Sequence, residues 1–236
     1  MSIRWAYGVT TTLQRIDELL PQTLSSLQEA GFAKPHLHVD GDADGQRWMS
    51  KFDISSITMH YPSIRTFGSW ETLLRVLFFR EPNADRYAIF QDDLLAIRNL
   101  RQYLEKCEYK EKTYWNCYSF PSNEKLALKQ ESFTTGWYDS NQQGKGAVGL
   151  VFSREAVLDL TATRYMAERP MSAVRGHKSV DGGIVSALKE IGYKELCHRP
   201  SLLQHTGMVS SMGNRPQPQA PSFPGQNFDA LSLLGG

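Results

Sequence analysis

Short runs of strand character alternate with amphipathic helical runs along most of this chain, and nothing else in it limits the fold as strongly. Such alternation calls for crossover connections, which put strands side by side in parallel with helices over both faces of the sheet. A first strand is expected over residues 5–10 (WAYGVT), leaving through Thr10, Thr11 and Thr12. Leu13, Ile16, Leu19, Leu20, Leu24 and Leu27 then recur at spacings of three and four, which predicts a helix over 13–30 that Gly31 stops. Further strands are expected over 35–40, 57–61, 87–90 and 147–152, with a short one ahead of His205. Ser69 reads as the N-cap of a helix over 70–79, with Glu71 in its first turn. Other helices are expected over 94–107, 154–160 and 182–191. Residues 108–143 mix aromatic and polar side chains with no clean period. Four prolines from position 216 onward predict an extended tail over 214–236. The expected fold is therefore a single α/β domain over 1–213 followed by that tail.

Composition removes several classes. With 41% hydrophobic residues the chain can bury a full core, which excludes global disorder. No apolar run approaches the ~20 residues that cross a bilayer, and the opening MSIRWAYGVTTT holds no signal-like apolar stretch. Cys107, Cys117 and Cys197 are too widely spaced for a disulfide framework or a zinc motif, so a reducing cytoplasm is expected. A net charge of +1 excludes a strongly basic footprint over the whole chain, though not a local basic groove.

Two acidic clusters follow predicted strands. The first, DGDADG at 40–45, opens like a calcium-binding EF-hand loop, but its twelfth position is Lys51 where a bidentate Glu belongs, and a strand leads in. Asp44 and Gly45 are read as a solvated turn. In an open parallel sheet ligands bind beyond the carboxyl ends of the strands, so Asp40 and Asp42 are placed at a crevice mouth, able to accept from a ribose or a base N–H. The second cluster is Gln91-Asp92-Asp93. Adjacent carboxylates repel unless a cation or hydrogen-bond donors neutralise them, and hard oxygen ligands favour magnesium or manganese bridged to a substrate diphosphate. The alternative is one Asp capping the next helix and the other solvated. His205, after an apolar pair and before Gly207, is a second candidate ligand.

In this order the features resemble the GT-A-fold, nucleotide-sugar-dependent glycosyltransferases, over roughly residues 3–214. The resemblance implies a Rossmann-like, mostly parallel mixed sheet flanked by helices, with a nucleotide-sugar-binding half over 1–107 and an acceptor half over 108–213. Gln91-Asp92-Asp93 is similar to the family's DXD motif, which holds a divalent ion on the donor diphosphate; Gln stands where the motif begins with Asp, so the ligand load falls on Asp93, with Asp92 toward the sugar or ribose. The implied metal ligands are Asp93 and His205, with manganese or magnesium as cofactor. Thr10, Thr11, Asp40, Asp42, Trp70, Asp92, Lys145 and Gly146 are the implied donor contacts; core packing is the competing reading for Trp70 and solvation for Lys145. Asp181 looks like the acidic residue that deprotonates the acceptor in inverting members, with helix N-capping as its alternative.

The expected function is metal-dependent transfer of a sugar from a nucleotide sugar, UDP-linked by preference, to a hydroxyl of a glycan, protein, small molecule or hydroxylated DNA base. A DNA base would have to be flipped out of the duplex. Two alternatives stand beside it. A nucleotidyltransferase normally has a basic glycine-rich loop near its N-terminus, and residues 7–13 contain no Lys or Arg. A catalytically degenerate GT-A-like domain would bind a glycan or nucleotide without turnover.

Overall fold

The structure, a computed structural model, describes residues 2–129, 135–168, 180–207 and 218–235. Its centre is an eight-stranded sheet built from β1 (Trp5–Thr12), β2 (His36–Asp40), β3 (Ser56–His60), β4 (Arg86–Gln91), β6 (Thr113–Asn116), β7 (Gly136–Asp139), β8 (Gly149–Ser153) and β9 (Lys194–Arg199), in the order β3-β2-β1-β4-β8-β6-β9-β7. Strands β3, β2, β1 and β4 are mutually parallel, β8 is antiparallel to both β4 and β6, β9 is parallel to β6, and β7 is antiparallel to β9. Six of the eight strands thus share one direction. A separate antiparallel ribbon joins β5 (Leu94–Ala96) to β10 (Leu203–His205).

Successive residues of a strand face opposite sides of a sheet, and β4 shows the consequence. Ala88 and Phe90 enter one apolar layer with Leu20 and Leu27 of α1 (Leu19–Glu29) and Leu100 and Leu104 of α4 (Leu100–Lys106). Tyr87 and Ile89 enter the other, with Trp70 and Leu74 of α3 (Arg65–Arg80), Val157 of α6 (Arg154–Thr161) and Ile184 of α8 (Val180–Glu190). The sheet is therefore buried on both faces, as parallel sheets require.

Several expectations need correction. The helix predicted over 13–30 begins as a 3-10 turn, Leu13–Arg15, and becomes α-helical only at Leu19. The helix predicted over 94–107 is divided: its first residues form β5, and the chain then turns at Asn99, whose φ of 58° is left-handed, before α4. Ser69 does not cap α3; the helix starts four residues earlier and buries Ser69 inside it. The acidic turn after β2 leads into α2 (Gly45–Lys51), whose N-cap Asp44 accepts from Arg47 N at 3.2 Å. α5 (Pro121–Ala127) and the short α7 (Arg164–Ala167) complete the helices.

The described part of the tail is not free. Ala220 N donates to Gln204 Oε1 at 2.8 Å, Ser222 Oγ donates to Glu124 Oε1 at 2.8 Å, and Tyr118 Oη reaches Pro218 O. Ala230 N donates to Arg98 O ahead of a closing 3-10 turn, Ala230–Gly235. Phe223, Phe228 and Leu231 pack against the first apolar layer, so apolar side chains seat a segment whose prolines suggested an unpacked one. Among the described residues no helix is long and apolar enough to cross a membrane.

Candidate functional site

Strand order reverses beside β1: the chain builds outward from β1 to β2 and β3, then returns to place β4 on the other side. A crevice opens at such a reversal, outside the carboxyl ends of the two strands. Thr11 and Thr12 end β1 there, and Asp92 and Asp93 follow β4. The β5–β10 ribbon folds back on this point. His205 pairs with Leu94, and Thr206 N donates to Asp93 O at 2.8 Å. Two residues 112 positions apart in sequence thereby come into contact, with His205 Nε2 3.2 Å from Asp93 Oδ2.

The two carboxylates differ in what surrounds them. Asp92 Oδ2 accepts from Thr11 Oγ1 at 2.6 Å and its Oδ1 lies 3.4 Å from Arg15 Nη1. Burial pushes its carboxyl up to about 7 against the opposing pull of the Arg15 charge. Asp93 is also buried, but the hydrogen bond and charge of His205 and the Arg15 guanidinium, whose Nη1 stands 2.5 Å from Oδ2, outweigh that and hold its carboxyl below the usual range. Among the described residues Asp93 Oδ1 has no hydrogen-bond partner although it is buried, and neither has His205 Nδ1. A buried carboxylate oxygen left without a donor is costly unless something occupies it. Gly207 makes room for the arrangement: a Cβ there would stand 2.6 Å from Asp93 Oδ2.

These residues fit a small divalent ion. Neighbouring ligands on a magnesium-like ion at about 2.1 Å lie roughly 3 Å apart, close to the 3.2 Å between Asp93 Oδ2 and His205 Nε2. No cluster of three His, Cys, Asp or Glu side chains forms among the described residues, so a divalent ion at Asp93 and His205 would need further ligands from elsewhere. That is how magnesium-type ions are commonly held, by one or two carboxylates plus phosphates.

A second group of expected residues flanks this centre. Gln91 N donates to Val148 O at 2.9 Å, so the segment that leads into β8 runs beside the end of β4. In that segment Gly146 N donates to Asp181 Oδ2 at 2.8 Å. Gly146 has φ 78°, and a Cβ there would strike the Tyr118 ring at 2.4 Å; at Gly144 (φ 61°) one would strike the Asp181 carbonyl at 2.3 Å. Gly144 lets backbone close onto the start of α8, and Gly146 lets it pass the Tyr118 ring. Asp181 lies in the first turn of α8, where burial raises its carboxyl and the backbone donors of Gly146 and Ala147 oppose the rise; His205 adds a weaker favourable charge. The base candidate and the metal-ligand candidate are thus within electrostatic reach of each other. Lys145 places its Nζ 5.4 Å from the Phe120 ring centroid. Thr10 Oγ1 makes only a long bond, 3.4 Å, to Phe90 O.

Three expected donor contacts are used elsewhere. Trp70 is 1% exposed and packs edge-on against Phe152, which makes it a core residue. Asp40 accepts from Ser63 Oγ, Ile64 N and Arg65 N, closing the start of α3. Asp42 accepts from Ala43 N, Asp44 N, Arg47 Nη1 and Trp48 Nε1. Ser210, Ser211, His177 and Lys178, which lie near these motifs in sequence, fall outside the described residues.

Arg15 and Glu195 were not among the expected site residues. Arg15 sits inside the leucine pattern of the first helical run; the available signal was a cation just beyond one strand end, facing an acidic second strand end. Glu195 is buried on β9, accepts from Asn116 Nδ2 at 3.1 Å and Ser140 Oγ at 2.6 Å, and is pushed up to about 7 by burial. No sequence pattern marks it.

No protein-family model matches the sequence, and neither does any curated protein. Solved structures do match. A GalNAc-T7 structure with UDP, GalNAc and Mn2+ superposes with TM-score 0.57 at 10% identity, over 86% of this chain and 44% of that one. The mannosyltransferase PcManGT of Pyrobaculum calidifontis, with GDP-Man and Mn2+, superposes with TM-score 0.53 at 14% identity, over 83% of this chain and 54% of that one. The fold is GT-A-like. This GT-A-like chain spans about half the length of either neighbour, and at these identities the likeness is one of fold.

Proposed function

We propose that this GT-A-like domain transfers a sugar from a nucleotide sugar to a hydroxyl acceptor, with the donor diphosphate at the end of β4. The observation that carries this is the meeting of Asp93 and His205 at 3.2 Å beside a buried Asp93 oxygen that has no partner among the described residues. The two neighbours named above were solved with a nucleotide or nucleotide sugar and manganese, which agrees with this reading. Asp93 and His205 would hold a divalent ion, manganese or magnesium, which when bound offsets the negative charge that appears on the departing phosphate. Thr11 fixes Asp92, and Thr10, Lys145 and Gly146 border the donor. Asp40 and Asp42 shape the loop beside the crevice.

An acceptor hydroxyl is a weak nucleophile and needs a base within hydrogen-bond reach. We assign that role to Asp181. Its raised carboxyl makes it a better proton acceptor than an exposed Asp, and the backbone donors of Gly146 and Ala147 hold it in place. Base catalysis by Asp181 on the face opposite the leaving group gives inversion at the sugar carbon. All three cysteines are unpaired, in keeping with a reducing cytoplasm.

Arg15 gives the nucleotidyltransferase reading one supporting observation, since it supplies the cation near the first strand end that residues 7–13 lack. One assay separates the two. With manganese and a panel of nucleotide sugars, glycosyl transfer releases nucleoside diphosphate; with sugar phosphates and nucleoside triphosphates, nucleotidyl transfer releases pyrophosphate. We expect diphosphate release, slow without acceptor, and an Asp181→Asn variant that binds donor normally but no longer transfers. Pyrophosphate release alone would reverse the assignment.

A further inference from the structure

The end of β4 already holds a cation, and it belongs to the protein. Arg15 Nη1 lies 2.5 Å from Asp93 Oδ2 and 3.4 Å from Asp92 Oδ1, with its side chain only 11% exposed. Asp93 Oδ2 is also the oxygen that faces His205 Nε2. The oxygen best placed to share an ion with His205 is therefore the one the guanidinium covers, while Oδ1 has no partner among the described residues. A divalent ion arriving alone would set three positive charges around one buried carboxylate oxygen, and like charges at contact distance in a poorly screened site exclude one another. A diphosphate changes this balance. It brings its own negative charge, and its oxygens suit the planar, multi-donor guanidinium better than they suit an ammonium.

We propose that Arg15 is an exchangeable counter-cation that covers Asp93 Oδ2 until a divalent ion arrives together with a diphosphate, and then gives up that oxygen for the phosphate. The proposal rests on the reading of Asp93 and His205 as holding the ion. It goes beyond that reading by making metal and nucleotide binding mutually dependent through one side chain. Arg15 stands on the 3-10 turn that follows β1, so rotation about its own side-chain bonds carries the exchange without movement of the sheet.

The test is a manganese titration followed by the EPR signal of free Mn2+, on wild-type protein, Arg15→Gln and Asp93→Asn, each with no nucleotide and with UDP or GDP. The wild type is expected to bind Mn2+ weakly alone and far more tightly with nucleotide. In Arg15→Gln, Mn2+ alone binds about tenfold tighter and its coupling to nucleotide shrinks by a similar factor. Unchanged or weaker Mn2+ binding in Arg15→Gln, with Asp93→Asn losing it, overturns the exchange and leaves the ion site standing. If Asp93→Asn keeps wild-type Mn2+ affinity with nucleotide present, the ion site itself is wrong and the exchange falls with it. A measurement on the unmodified protein covers the case of a poorly folded variant. The Arg15 Nε–Hε NMR signal shifts when Mg2+ and nucleotide are added together, and not with Mg2+ alone; an unmoved signal at saturation refutes the exchange.

Discussion

At the end of β2, Asp40 accepts from one hydroxyl and two backbone N–H groups, and Asp42 from four donors of its own loop. At the end of β4, among the described residues, the Asp93 carboxylate meets only a guanidinium and an imidazole, both through Oδ2, and its Oδ1 has no partner. Both acidic ends project from parallel strands of the same sheet, and both looked alike as ligand sites in the sequence. The difference lies in what the chain does next. After β2 it turns at once into α2, and α3 follows with its first amides aimed at Asp40. After β4 it forms a short strand whose partner brings a histidine from far along the sequence. Strand-end carboxylates are thus of two kinds: those that close a neighbouring helix, and those with bonding capacity in reserve for a ligand.

The contrast is most exposed to refutation by paired substitutions. Asp93→Asn should abolish nucleotide binding that depends on manganese, a loss of at least about 100-fold by calorimetry, because the neutral amide cannot balance a cation. Asp40→Asn should leave that binding intact and lower unfolding stability by about 1–3 kcal/mol, the cost of weakened buried bonds. Equal losses of binding in both variants would erase the distinction.

Glu195 offers a third buried carboxylate, and its hydrogen bonds place it with Asp40. Burial raises it from 4.5 to about 7 despite the bonds from Ser140 and Asn116. A carboxyl raised on folding makes the native state bind more protons than the unfolded chain between those values. Stability then falls as pH rises from about 4.5 to 7 and levels off above. Asp92, raised to about 7 from 3.8, adds a decline of the same sign. Glu195→Gln should remove its share, on the order of 3 kcal/mol, and flatten the profile measured by denaturant unfolding; an unchanged slope would contradict the burial argument. Smaller still is Gly207→Ala, whose methyl would press on Asp93 Oδ2. About a tenfold weaker manganese–nucleotide affinity is expected, and unaltered affinity would show that Asp93 has room to move.

The parallel half was readable because each of its strands carries a local pattern: β1 is a strand-forming run that leaves through three threonines, and β2 and β4 each run into acidic residues. The Asp93–His205 pairing was accessible only through resemblance, since no local periodicity links positions 93 and 205. In the second half β6 and β7 pass unnoticed among aromatics because Tyr114, Trp115 and Trp137 serve the core and each other, with Trp115 stacked on Trp137 at 4.6 Å, and β9 (KELCHR) is too polar to read as a strand. Those strands insert out of chain order, so their pairing depends on long-range contacts that no window of sequence contains. The structural partners of Asp40 and Trp70 were hidden for the same reason: burial and hydrogen bonding are tertiary facts. Arg15 was hidden by a helical spacing that the chain follows only from Leu19 onward.

Anomalous diffraction at the manganese edge, on crystals soaked with Mn2+ and UDP or GDP, bears on the whole assignment at once. The account places one manganese peak against Asp93 and His205, with diphosphate oxygens on its far side and Arg15 turned onto the phosphate. Manganese found instead among Asp40, Asp42 and Asp44, or nucleotide bound away from the end of β4, would contradict it.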